Sequence, residues 1–310
     1  MVAGDRTARR FQSLVTVDQL INVLVTITLV EMMVAIGLGV TFADVLNVAR
    51  SQRLVTQAAV ANYVCVPAVA AGLLLLFRAQ PMVAAGFLIA AVCPGAPYGP
   101  PLTAMAKGNV PAAVGLMVLL AGSSALMAPL LLYFLLPWVQ QRLAGDAGRL
   151  HVDAAKMIVT LLLTQLLPLF VGLAVRQRRP ILAARLLKPA SLLSLVLNLT
   201  VIGLIVGVHF PTLMAIRPRA FVGMLALVLA ALGAGWLLGT PGSGNRKSMA
   251  ITTSVRNVGV SLVIATSSFP GTPAVTATLA FALFQTILMA LIALGWGRLT
   301  PATAGKPERG

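Results

Sequence analysis

Four prolines fall within eight residues of one apolar run, in the segment Cys93-Pro94-Gly95-Ala96-Pro97-Tyr98-Gly99-Pro100-Pro101. The surrounding stretch, 81–107, is otherwise apolar. Proline brings no N–H and clashes with the preceding helical turn, so no unbroken helix or central strand passes through here. A second apolar stretch, 249–269, is interrupted by Arg256-Asn257 and Gly259. Irregular backbone at membrane depth survives only inside protein or beside an aqueous cavity. Two interrupted spans in matching halves of a chain point to the binding site of a transporter.

Composition supports the membrane reading. The chain is 59% hydrophobic and 10% charged, with a mean hydropathy of +0.96. A soluble domain of 310 residues cannot hide that much apolar surface, so a polytopic membrane protein is expected, embedded in a lipid bilayer. The N-terminal residues lack a short apolar core with a small-residue cleavage site, so no removable signal peptide is expected. Cys65 and Cys93 both fall in predicted spans and read as packing residues. The net charge of +16 is spread over loops and reads as helix-orienting charge, not as a nucleic-acid surface. Part of it can hold anionic lipid head groups.

Nine spans are predicted, near 20–41, 54–77, 81–107, 110–137, 156–175, 190–209, 220–239, 249–267 and 272–297. Trp138, Trp236 and Trp296 fall near span ends, where indole rings favour the interface. With the C-terminus cytoplasmic, thirteen Lys and Arg residues lie inside and nine outside, leaving Arg256 within the membrane. The dense loop from Arg176 to Lys188 sets that orientation: a multi-pass cell-membrane protein, in the inner membrane if the source is bacterial. Nine spans place the N-terminus outside. Arg6, Arg9 and Arg10 oppose that, so a tenth, weakly hydrophobic pass stays open.

The chain also resembles itself. Val40-Thr41-Phe42-Ala43-Asp44-Val45-Leu46 matches Val208-His209-Phe210-Pro211-Thr212-Leu213-Met214, at an offset of 167–168. The spans beginning near 54 and 220, and the broken spans beginning near 81 and 249, share nearly that offset. Equivalent helices are separated by an odd number of spans and so point in opposite directions, which is an inverted repeat.

Several segments resemble the bile acid:sodium symporter family. These are Ile36-Gly37-Leu38-Gly39-Val40-Thr41-Phe42-Ala43-Asp44-Val45, Cys93-Pro94-Gly95 followed by Ala106-Lys107-Gly108-Asn109-Val110, and the region 257–265. The similarity runs over about 20–297. It implies an all-α polytopic membrane protein, an inverted-repeat transporter with about nine transmembrane helices and two discontinuous helices crossing at mid-membrane. It also implies a core domain, about 54–137 and 220–297, and a panel domain, about 20–53 and 156–209. Tails of 1–19 and 298–310 flank the transporter domain, 20–297.

Carried over residue by residue, the family's sodium ligands are mostly missing. Its first site falls on Gly99, Pro100, Ala113, Met117 and Thr252. Its second falls on Asn62, Thr252 and Arg256, leaving Asn62 as a remnant sodium-site position and backbone carbonyls near Thr253 and Val255. A hard cation needs several oxygen ligands, and Gly99, Pro100, Ala113 and Met117 offer no side-chain oxygen. Two unit positive charges ~4 Å apart repel by roughly 4 kcal/mol at an effective dielectric near 20. Sodium as a partner is therefore doubtful, and its coupling is expected to be absent or altered.

Arg256 lies well inside its span, where an arginine costs roughly 2.5–3.5 kcal/mol on insertion scales. One reading makes it a fixed cation in the place of a sodium, offering a fork to a carboxylate. Another pairs it with helix-end carbonyls away from substrate. Asn257, Tyr98 and Thr252 complete the candidate substrate-binding set. Glu31, the sole carboxylate in a predicted span, reads as a proton-coupling site, a partner of Arg256 or a solvated group. His151 and His209 are expected in loops, and no metal or cofactor site is expected.

The function expected is secondary transport of a small organic anion, bile-acid-like or another carboxylate. The alternatives are a transport-inactive sensor or scaffold of the same fold, or an intramembrane enzyme. An enzyme would need a nucleophile–base pair or paired carboxylates at membrane depth, which Glu31 alone does not supply.

Overall fold

The computed structural model describes residues 2–145, 150 and 152–299, with side chains from Val17 onward. Its regular elements are all helical. The first half holds α1 (Val2–Gly39), α2 (Phe42–Ala49), α3 (Gln52–Val60), α4 (Val66–Leu76), α5 (Pro81–Ala91), α6 (Gly99–Met105) and α7 (Val110–Ala144). The second holds α8 (Ala154–Leu161), α9 (Leu167–Arg178), α10 (Pro180–Met214), α11 (Pro218–Leu238), α12 (Ser243–Ser254), α13 (Val258–Ser268) and α14 (Pro273–Leu299). Two π-helical turns, Ala61–Cys65 and Leu162–Leu166, join α3 to α4 and α8 to α9.

Eight helical stretches among the described residues are long and apolar enough to cross a bilayer. The shorter α5, continued by α6, makes a further pass, in line with the nine expected spans. The inverted repeat is visible in the order of elements. The α1–α2 turn recurs in α10, which is kinked at His209 (φ −106°, ψ 18°) before its last residues. Then α3–α4 answers to α11, α5–α6 to α12–α13, and α7 to α14. The pass α8–α9 has no counterpart among the described residues.

Several boundaries move. His209 sits within α10 at its kink, not in a loop. The expected tail 1–19 is helical from Val2. His151 and residues 300–310 lie outside the described residues. The second broken pass starts at Ser243, six residues before the expected 249. Polar residues can enter here because neighbouring chain ends receive them. Lys247 Nζ donates to the Ala106 carbonyl at 2.9 Å, and Ser248 Oγ lies 2.7 Å from the Asn109 carbonyl. The break itself spans Val255 to Asn257, and Gly259 is inside α13.

Glycine sets two close helix contacts. A Cβ on Gly37 would lie 2.4 Å from the Leu169 carbonyl, and one on Gly172 would lie 2.4 Å from that of Val34, so α1 and α9 pack backbone to backbone. Such small-residue contacts are how membrane helices gain close packing. A Cβ on Gly86 would lie 2.1 Å from the Ala274 carbonyl, where α5 meets α14. Outside the spans, Thr41 and Asp44 cap α2 reciprocally. The Thr41 hydroxyl, then its N–H, hold the Asp44 carboxyl below the usual carboxylate range.

Gly86→Ala is predicted to cost about 1–3 kcal/mol, because the clash is with backbone and cannot be relieved by a rotamer. Thermal unfolding of the purified protein in detergent reads it as a lower melting temperature. Gly72→Ala, facing open space, should leave that temperature unchanged or raise it.

Candidate functional site: the crossing of two broken helices

Every helix ends with four carbonyls that lack an intrahelical partner. At the crossing, α5 ends at Ala91 and α12 at Ser254, so two sets of orphan carbonyls meet inside the protein. Arg256 answers both. Its guanidinium donates to the Ala91 carbonyl at 3.3 Å and to the Thr253 carbonyl. The side chain is 1% exposed.

The irregular backbone is otherwise satisfied by two amide side chains and one backbone bond between the breaks. Gln285, on α14, accepts from the Arg256 N–H and donates to the Arg256 carbonyl, both at 3.0 Å. The Asn257 N–H donates to the Cys93 carbonyl at 2.8 Å. Asn257 Nδ2 donates to the Gly95 carbonyl at 3.1 Å, while its Oδ1 accepts from Val260 N–H and caps α13. Asn257 therefore ties one break to the other. In the first break, Pro94 and Pro97 carry no N–H to be satisfied. Gly95 takes a left-handed conformation (φ +83°), and a Cβ there would lie 2.3 Å from the Ala121 nitrogen on α7. Only glycine fits that contact.

The sequence-predicted residues sort into two groups. Arg256 and Asn257 lie at the crossing with their side chains bonded to helix-end or break carbonyls. Thr252 lies one turn before Arg256, with its hydroxyl buried and without a partner. It faces Gly99: a Cβ on Gly99 would lie 3.8 Å from that hydroxyl. Tyr98 is half-buried at the N-terminus of α6. Asn62, in the π-helical turn after α3, donates to the Ala58 carbonyl at 2.9 Å and to Thr253 Oγ1 at 3.3 Å. Its Oδ1 is buried and unpartnered. Two lone oxygens thus lie near the end of α12: Thr252 Oγ1 on the helix itself and Asn62 Oδ1, whose amide touches Thr253. A π-turn in a helix often marks a functional position.

Glu31 lies apart from this group. It is half-buried on α1 and accepts from the Ser194 hydroxyl on α10. It forms no ion pair with Arg256. Gln285, Gln165 and Lys247 were not singled out in the sequence. Gln165, in the second π-helical turn, donates to the Ala121 carbonyl and, at 3.0 Å, to Ser124 Oγ. The signal available was a lone amide in an apolar span, which in hydrocarbon needs a partner.

Two discontinuous helices crossing inside an inverted repeat are the architecture of a secondary transporter. The chain belongs to the sodium bile acid symporter family, whose sequence model matches residues 26–216. The matched segment includes the first break and stops before the second. Among curated relatives, the uncharacterized sodium-dependent transporter YocS of Bacillus subtilis (strain 168) is 23% identical over 282 residues, 88% of this chain and 83% of the relative. The uncharacterized protein YbaS of the same strain is 26% identical over 224 residues, 70% of each chain. The probable chloroplastic sodium/metabolite cotransporter BASS2 of Oryza sativa subsp. japonica is 24% identical over 250 residues, 79% of this chain and 57% of the relative.

Replacing Gln285 by leucine strips partners from one buried N–H and one buried carbonyl, at about 1–3 kcal/mol each. Gln285→Leu is predicted to lower the melting temperature and abolish substrate uptake. Near-normal values of both would show that the break does not depend on that amide.

Proposed function

We propose that this chain carries a small organic anion, a bile-acid-like or other carboxylate, with Arg256 standing as a tethered cation where relatives bind a coupling ion. The observation that carries this is the guanidinium on the carbonyls of Ala91 and Thr253. In broken-helix transporters the C-terminal ends of half-helices coordinate the coupling cation, and here both ends already face a positive charge. The oxygen supply agrees. Gly99, Pro100, Ala113 and Met117 contribute no side-chain oxygen, and Asn62 and Thr252 contribute only neutral ones.

In this reading Tyr98 and Thr252 touch the anion. Asn257 and Arg256 fix the crossing and give it a positive field, aided by the N-terminal end of α13. The moving parts follow the packing. Helices α1, α9 and α10 contact one another extensively and are assigned to the panel, with α8, which packs on α7 but runs into α9 through a π-helical turn, while α3–α7 and α11–α14 are assigned to the core. The short α2 packs on α7, which supports counting it with the core and ending the first panel segment at Gly39 instead of 53. A proton gradient then replaces sodium as the drive, with Glu31 the group that carries the proton. The C-terminus is cytoplasmic by the charge count above.

The test is uptake of labelled carboxylates, a bile acid among them, into proteoliposomes. Replacing an inward sodium gradient by potassium should change the rate less than twofold. Glu31→Gln should remove any stimulation by a pH gradient. Arg256→Gln should cut uptake at least tenfold without creating sodium dependence, because the other ligand positions remain apolar. A wild-type rate that falls tenfold without sodium overturns the tethered-cation reading. Absence of any exchange, with the protein folded, favours the sensor or scaffold alternative.

A further inference from the structure

A cavity of about 420 Å³ lies away from the crossing, at the end of the bundle where α4 stops and α5, α11 and α14 start. Its floor is apolar, with Leu74, Phe87 and Met224 buried along it. Phe87 and Met224 lie six residues inside their helices, about 9 Å of rise. Arg217 and Arg219 stand at its mouth, exposed and in no ion pair among the described residues.

Three helices of 11, 21 and 27 residues begin here, at Pro81, Pro218 and Pro273. Each N-terminus carries about half a positive charge, although Thr272 already takes the first N–H groups of α14, those of Ala274 and Val275. A further observation points independently to a ligand. Thr276, in the first turn of α14, lines the cavity at 3% exposure, and its hydroxyl has no partner. Two residues on, Thr278 bonds back to the Ala274 carbonyl at 2.9 Å.

The second repeat shows that the fold does not require this space. There the equivalent helices α11 and α12 press together. A Cβ on Gly235 would lie 2.6 Å from Ala250 Cα, and one on Gly239 would lie 2.9 Å from Arg246 Cα.

We propose that this cavity binds the carboxylate of a single-chain amphiphile of the fatty-acid type, as a second site separate from the crossing. The charge of the mouth selects a carboxylate head, and the apolar floor selects a chain. The volume is that of a small-molecule pocket. The proposal holds whether or not Arg256 replaces an ion.

Binding of dodecanoate to the purified protein in nanodiscs of zwitterionic lipid, at low ionic strength, tests it. Dodecanol isolates the chain and acetate isolates the head. Dodecanoate should bind saturably, at least tenfold more tightly than either. The double variant Arg217→Gln/Arg219→Gln, altered only at exposed side chains, should weaken dodecanoate at least tenfold and leave dodecanol unchanged. Arg256→Gln should leave dodecanoate binding unchanged. A diazirine-bearing dodecanoate, photolysed on the unaltered protein, should label residues 73–87, 212–224 or 273–277. Equal binding of dodecanol, an unaffected double variant, or labelling confined to 90–101 or 251–261 overturns the proposal.

Discussion

One guanidinium holds together two helix ends that would otherwise repel. The C-terminal ends of α5 and α12 each carry roughly half a negative charge and a set of orphan carbonyls. Brought face to face in a water-poor interior, they need about one unit of positive charge between them. Arg256 supplies that charge with directed donors on Ala91 and Thr253. Among the described residues no carboxylate pairs with it, and the two dipole ends do that work. This is why an arginine costing a few kcal/mol in a membrane helix persists with almost no exposure.

The other parts of the crossing solve one accounting problem, that backbone groups in hydrocarbon must be paired. The two breaks solve it differently. The first removes donors: its prolines have no N–H, and Gly95 lets the chain press onto α7. The second keeps its donors: the Gln285 side chain serves Arg256, the Asn257 N–H finds the Cys93 carbonyl, and the Asn257 side chain reaches Gly95. The same inequality between repeats reappears at the bundle ends, where α4 and α5 leave a cavity while α11 and α12 close on each other.

Much of this was legible in the sequence. Four prolines within eight residues give the first break: a long helix absorbs single prolines, as α7 does at Pro129 and Pro137, but not that density. Arg256-Asn257 in a second run gives the other, and the repeat around Thr41 and His209 relates them. The start of α12 was not legible. Hydropathy places Lys247 and Ser248 in a loop, and the carbonyls of Ala106 and Asn109, contributed from far away in the chain, help to make their burial possible. Gln285 was illegible for the same reason: its partners sit 29 residues earlier, and nothing in its local pattern names them. The destination of the Arg256 side chain also depended on where two helix ends meet in space.

A tethered cation has a consequence for energetics that a dissolved one does not. A mobile sodium can enter from one side and leave on the other, so its gradient does work on the substrate. A guanidinium fixed to α12–α13 moves with the core and returns with it, so over a full cycle it transfers no charge. It can hold the crossing in shape in every state, occupied or empty. In a carrier whose crossing depends on bound sodium, the empty core is destabilised and ion binding is linked to the conformational step. In the proposed reading Arg256 removes that link, and rocking of the core is governed by the substrate or by another titrating group. If the proposed reading holds, loss of sodium coupling and persistence of Arg256 are two descriptions of the same substitution.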